Sequence, residues 1–463
     1  YEGLRERAGA NLTTTVPTEA MRRGDFSGLR NAAGQPILIF DPVTTRAVGS
    51  GFVRDAFPGN IIPANRMDPV ARNILRYYPL PNRPGDANSG QNNLALSGSA
   101  PFDITQWDVK MDQHLSDRQR FAARFSRRTV LNSRARFFRG GDVGLAQDSL
   151  AFTEVAHNAA FDYNLTVSPT YLVNLRYGFS RLLFDTVTPS DGFDPTQLGF
   201  PASFRSNLDE LVFPMIVPQG YYGVGHGNAV TGPGTTEAHT LMLANTKTLS
   251  RHLLKFGGEM RSLRNNNRQH GRPANFDFPR SFTQGPNPQV ASGGDGFASF
   301  LLGLGGGSST RNLKITSTQG FYYGFYLNDD WKATSRLTFN LGLRYDLTIP
   351  LTERFNRLNY LDLQVAHPLG AQLKDKPGFS ECPDCANLQG GLVFASEEDR
   401  KLTETDWSSL APRFGFAYQA LKKTVVRGAY GIFYSTTGTT TTIGTNGYRT
   451  QSPFLGTLDG LTP

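Results

Sequence analysis

The feature that most restricts this chain is a run in which apolar and polar residues alternate without an error. Between Arg336 and Asp346 the odd positions are Leu337, Phe339, Leu341, Leu343 and Tyr345, and the even ones are Arg336, Thr338, Asn340, Gly342, Arg344 and Asp346. Successive side chains of a strand point to opposite faces, so this run predicts a strand with one greasy and one polar face. On a helix, residues two apart diverge by about 200°, which would smear the apolar set around the whole surface.

The run has a partner. In Phe321–Trp331, Phe321, Tyr323, Phe325 and Leu327 share one parity, and Tyr322, Gly324, Tyr326 and Asn328 take the other. Lys332-Ala-Thr-Ser335 joins the two as a tight polar turn, which predicts an antiparallel hairpin. The same unit recurs at 104–130 (turn 116–118), 153–184 (turn 168–170), 238–264 (turn 250–251) and 410–434 (turn 422–423). The connections between hairpins, 131–149, 187–236, 265–311 and 350–409, run to tens of residues. A soluble sandwich mixes connection lengths on both sides, whereas an outer-membrane barrel puts short turns at its periplasmic end and long loops outside. The sequence therefore predicts an all-β, antiparallel transmembrane barrel piece in the bacterial outer membrane. Residues 1–102 and the segment 438–463 read as surface loops, and 103–437 as five hairpins with long loops. Within the first block, Asp68–Tyr78 suits a short helix with Asp68 as N-cap and Pro69 at the first position.

Composition agrees. Hydrophobic residues make up 38%, Phe (33) and Tyr (17) dominate the large ones, Gly numbers 49, and mean hydropathy is −0.36. A barrel strand shows lipid only alternate residues, so a low average is expected. No stretch approaches the roughly 20 apolar residues of a membrane helix. The net charge of +8 comes from Arg scattered over strands and loops. A nucleic-acid partner would want those charges on one face, so none is expected; outer-membrane lipid and lipopolysaccharide phosphates suit the scatter better.

Catalytic and metal signatures are missing. The seven histidines lack ligand spacing, Gly303-Leu-Gly-Gly-Gly307 lacks the Lys-Ser/Thr of a phosphate loop, and no cofactor is expected. The apolar stretch Phe297–Leu302 beside it predicts a short helix at the barrel rim or in the extracellular vestibule, and the glycines a flexible link into the next strand. Asp329-Asp330 marks a hairpin end beside Trp331. Cys382 and Cys385, in a loop-like Glu-Cys-Pro-Asp-Cys, predict a local disulfide in an oxidising compartment. Lipid-facing positions are Leu337, Phe339, Leu341 and Leu343. Arg124, Arg176, Arg344 and Arg413 lie on polar parities and face the lumen if the strands span, because Arg is costly at mid-membrane on the lipid side. There they either pair with acidic groups of a plug or line an anionic ligand path.

Several blocks, in this order, resemble the large, Oar-like type of TonB-dependent outer-membrane receptor. They are Val16–Ser27, Ile62–Ala71, Leu327–Asp346, Leu410–Tyr418 and Val426–Tyr434. The resemblance implies a 22-stranded barrel closed by a plug, energy from an inner-membrane TonB complex, and uptake of an extracellular ligand. No plug, TonB box or aromatic C-terminal strand is visible here, and only about ten strands are, against the size of such transporters. A passive porin or adhesin-like barrel, or a secreted β-rich glycan-active enzyme, are the alternative readings.

Overall fold

In the computed structural model the described residues are 1–138, 150–226, 232–268, 271, 273–312, 315–373, 387–401, 403–434, 443–444, 447–459 and 462–463. Cys382 and Cys385 lie outside them. Eleven strands form one antiparallel meander: β1 (Glu2–Thr14), β2 (Leu94–Ser116), β3 (Gln119–Ser133), β4 (Ala151–Ser168), β5 (Tyr171–Val187), β6 (Gly234–Leu249), β7 (His252–Arg268), β8 (Ile315–Lys332), β9 (Leu337–Glu353), β10 (Leu410–Leu421) and β11 (Thr424–Gly431). Each pairs with its neighbour in sequence, the simplest order a chain of hairpins can take. At the outer edges of β1 and β11 no further strand is paired among the described residues.

The five predicted hairpins are present, with turns within a residue or so of the expected places. The strands are longer than the sequence suggested, because alternation continues beyond the apolar band. A tilted strand crosses a bilayer in about 9–11 residues, whereas β2 has 23 residues and β7 has 17. The far end of β7, residues 264–268, is polar on both faces, whereas that of β2 opens on Leu94-Ala-Leu96. Near the middle of β2, Asp103 shares its parity with Trp107 and takes a charge-paired bond from Arg7.

Residues 1–102 were expected to be a surface loop carrying one short helix at Asp68–Tyr78, and this is corrected at both ends. Glu2–Thr14 is the eleventh strand, in register with Leu94–Gln106. Its sequence alternates small residues and charges rather than aromatics, so it carries almost no apolar signal and is held by the ladder and by Arg5 and Arg7. The glycine stretch is corrected too. Gly306–Asn312 is a strand, not a flexible link, in a small sheet ordered Arg449–Phe454, Gly306–Asn312, Asn275–Phe278, Met215–Pro218. A Cβ on Gly307 would lie 1.8 Å from the Asn275 carbonyl oxygen, so only glycine permits that close pairing. The same sheet recruits Arg449–Phe454 from the segment expected to be loop.

The long connections do not hang free. Those at 15–93, 188–233 and 269–314 share a hydrophobic core, to which 354–409 gives no residue among those described: Val16, Phe26, Ile39, Ile62, Ile74, Leu198, Phe213, Phe297 and Phe300 are all buried in one cluster. Among its buried members only Leu94 belongs to a strand of the large sheet. Two short helices sit at its centre. α1 (Pro69–Ile74) starts as predicted, with Asp68 accepting from the Ala71 amide at 2.9 Å. α2 (Gly296–Leu301) is buried along its whole length and capped by Asp295, which accepts from the Phe297 and Ala298 amides. The Asp68 amide donates to the Leu301 carbonyl at 2.8 Å, tying the two helices. No helix among the described residues is long and apolar enough to cross a membrane.

Phe297 has no exposed surface, and its ring meets Tyr221 and Phe300 at 5.4 and 5.3 Å. Phe297→Ala is expected to destabilise this layer by about 3–5 kcal/mol. Limited proteolysis checks it: cleavage should rise sharply in the connections while the strand signal in circular dichroism is unchanged.

Candidate functional site

The large sheet has two chemically distinct faces, and the register shows why. Cross-strand partners lie on the same face, so one ladder runs Phe125, Ala159, Phe179 and another Leu341, Phe414, Tyr430, all apolar. Leu337, Phe339, Leu341 and Leu343 belong to this face, with Leu341 and Leu343 41% and 44% exposed. That exposure is the signature of a surface meant for something other than water. At the turn end, Trp331 lies between His252 and Phe339, 5.7 Å from each ring. Asp329 takes a bond from His252 at 2.7 Å on this face, while Asp330 on the other meets Lys255 and Asn340.

The opposite face carries the four arginines, at separate places along the meander. Arg124 bonds Asp108 at 2.9 Å. Arg176 makes a forked pair with Asp162, at 2.8 Å from Nε and 2.7 Å from Nη2. Arg344 is the most enclosed. It donates to Glu259 at 3.0 Å, Asp346 at 2.9 Å and the Tyr322 hydroxyl at 2.6 Å. Arg261 bonds Glu259 at 3.0 Å and lies over the Tyr322 ring, and Tyr322 also bonds Asp346. The result is one network over β7, β8 and β9. Arg413 differs: its guanidinium sits 4.5 Å from the centre of the Phe433 ring, and among the described residues no carboxylate forms an ion pair with it, Asp330 lining the same hollow.

Two hollows open on this face. One of about 900 Å³ is lined by Lys255, Asn328, Asp330, Asn340, Arg413 and Phe433. A second of about 600 Å³ is lined by Asp108, Arg124, Ser126, Arg128, Asn158 and Ser180. Both are open troughs of mixed lining, the first also walled by Phe414, Phe416 and Tyr430 and the second by Ala159, Ala160 and Phe179. No group of three or more His, Cys, Asp or Glu among the described residues is placed to hold a metal ion.

The sequence found the arginines but not their partners. Arginine pairing with a plug was one expectation; three of the four are instead satisfied by acids of the sheet itself. One of these was accessible, since the turn after Ser168 puts Asp162 directly opposite Arg176. Glu259 was not, because it reaches Arg344 from two strands away across a long connection, where sequence sets no register.

These features are those of a bacterial outer-membrane β-barrel, with a lipid-suited face, a charged face, short turns at one end and built connections at the other. The chain belongs to the family described as the outer membrane beta barrel domain, which it matches over residues 1–462, and its location is the bacterial outer membrane. No curated protein matches the sequence. Among solved structures it is similar to the ferric-catecholate import receptor Fiu of E. coli K12. The closed form gives a TM-score of 0.37 at 14% identity, covering 73% of this chain and 45% of that one. The open form gives 0.38 at 12%, covering 84% and 51%. The unliganded ferric citrate transporter FecA gives 0.24 at 9%, covering 70% and 47%. The chain thus spans about half the length of these structures.

The charged network makes a graded prediction. Arg344→Ala leaves Glu259 and Asp346, each 9% exposed at the side chain, short of their main cation. It should destabilise the folded protein by on the order of 3 kcal/mol. Arg124→Ala, at a side chain 60% exposed, should cost under about 1 kcal/mol. Denaturant unfolding in detergent micelles, followed by the loss of heat-modifiable gel mobility, measures both.

Proposed function

We propose that this chain is the wall and outer layer of a TonB-dependent outer-membrane receptor, which takes up an extracellular ligand and is not an enzyme. The apolar face carrying Leu337, Phe339, Leu341 and Leu343 meets lipid, and the face carrying Arg124, Arg176, Arg344 and Arg413 lines the interior. Basic residues of the connections meet lipopolysaccharide outside. The TonB complex acts through a plug region that accompanies this part of the barrel.

One observation carries the reading: the long connections form a cored layer, with a buried α2 and a cluster of phenyl rings, instead of open loops. A passive pore gains nothing from burying so much apolar surface at its mouth. A receptor needs side chains held in place at the cell surface, and rigid packing provides this. The order of hairpin motifs along the sequence supports the same assignment.

The passive-porin alternative differs in a quantity that needs no knowledge of the ligand. Protein purified from outer membranes and inserted into planar bilayers should show no steady conductance without ligand. A stable, ohmic, permanently open channel would contradict the receptor reading in favour of the porin.

A further inference from the structure

The connections form a half-open cavity of about 620 Å³ that is separate from the strand faces. Three distant segments wall it: 15–37, 84–93, and the residues around Tyr221, Arg280 and Asp295. Its volume is in the range of small-molecule sites. The way its polar side chains are fixed tells what it accepts.

Four of them, Arg30, Asp86, Asn88 and Gln219, use one end to anchor themselves and leave the other without a partner among the described residues, whereas Asn93 and Asp295 are bonded at both ends. Asn88 donates its Nδ2 to the Ala32 carbonyl at 2.9 Å, leaving Oδ1. Asp86 accepts from Asn92 on Oδ2 at 2.9 Å, leaving Oδ1. Gln219 accepts from the Arg280 amide on Oε1 at 2.9 Å, leaving Nε2. Arg30 spends only Nη1, on the Ser27 and Leu29 carbonyls. The Arg280 guanidinium bonds no described residue. The wall therefore offers both donors and acceptors, and four of its side chains are already anchored at one end, which lowers the entropy lost when a ligand binds.

The other features narrow the class. Three carboxyl groups, Asp25, Asp86 and Asp295, face two guanidiniums, Arg30 and Arg280, so the cavity has no surplus of positive charge for an anionic chelate. Asp295 accepts from Tyr221 Oη at 3.0 Å, which fixes the Tyr221 ring at the wall as a flat apolar patch. Burial raises the Asp295 carboxyl to about 6, against the pull of its amide and Tyr221 bonds. At Gly28 and Gly220 a Cβ would meet nothing within 4 Å, so there is open space beside the backbone.

We infer that this cavity binds a neutral, hydroxyl-rich ligand, a short saccharide. Each sugar hydroxyl both donates and accepts, which suits a wall of mixed amide, carboxyl and guanidinium groups, and a sugar's C–H face suits the Tyr221 ring. The inference rests on the receptor reading, and names the ligand class it would carry.

The test is isothermal titration of the detergent-purified protein with neutral trisaccharides of gluco-, galacto-, manno- and xylo-configuration, and with a zwitterionic tripeptide as comparison. At least one saccharide should bind saturably at one site. Gly28→Phe, which fills open space at a residue with ordinary φ, and Arg280→Gln should each weaken it at least tenfold with unchanged thermal midpoints. Arg124→Gln, on the strand face, should leave it unchanged. Absence of binding across the panel, binding undiminished in both cavity variants, or preference for the tripeptide would overturn the assignment. Binding is read at equilibrium with no inner membrane present, so its failure is distinct from an open channel in the bilayer measurement, which alone would sink the receptor reading.

Discussion

The structure depends first on the backbone ladder. Inside a bilayer there is no water to satisfy an N–H or C=O, so a strand can stand there only if its neighbours take every bond. Between β1 and β11 the meander meets that demand in the shortest way, each strand pairing the next, and the outer edges of these two strands are where further pairing is required. Once the ladder sets the register, the alternation of side chains sorts the chain into two faces without further instruction. The apolar ladders through Phe125 and Leu341 and the charged network around Arg344 are both consequences of one register.

The charged face shows what a polar surface needs when it is crowded by its neighbours. Arg176 and Arg344 are held by carboxylates from adjacent or next-adjacent strands, so their charge is already spent within the wall. Arg413 is the exception, resting on Phe433 beside an open hollow with Lys255. If the interior presents positive charge to anything, it does so at that end of the meander rather than evenly along it.

Legibility followed the range of the interactions. The hairpins could be read because period-2 alternation and turn residues are local, and Asp162 opposite Arg176 needed only the turn to be placed. β1 could not, because Glu2–Thr14 offers Ala, Gly and charges where the other strands offer aromatics. The surface layer was legible in pieces: Asp68 with Pro69 announced α1, and the apolar stretch at Phe297 announced α2. That the two would share a core, joined by the Asp68 amide and the Leu301 carbonyl, is a contact between segments far apart in sequence. No local pattern encodes it. The same holds for the cavity, whose walls come from three such segments.

The central claim is that alternate residues of one strand meet lipid and water-lined interior. Single nitroxide labels placed in turn at positions 337 to 344, with Cys382 and Cys385 replaced by Ser, would report it directly in the reconstituted protein. Collision with oxygen, which concentrates in lipid, should peak at 337, 339, 341 and 343, and collision with a water-soluble nickel chelate should peak at 338, 340, 342 and 344. Equal access of both reagents at all eight positions, or the opposite phase, would contradict the account.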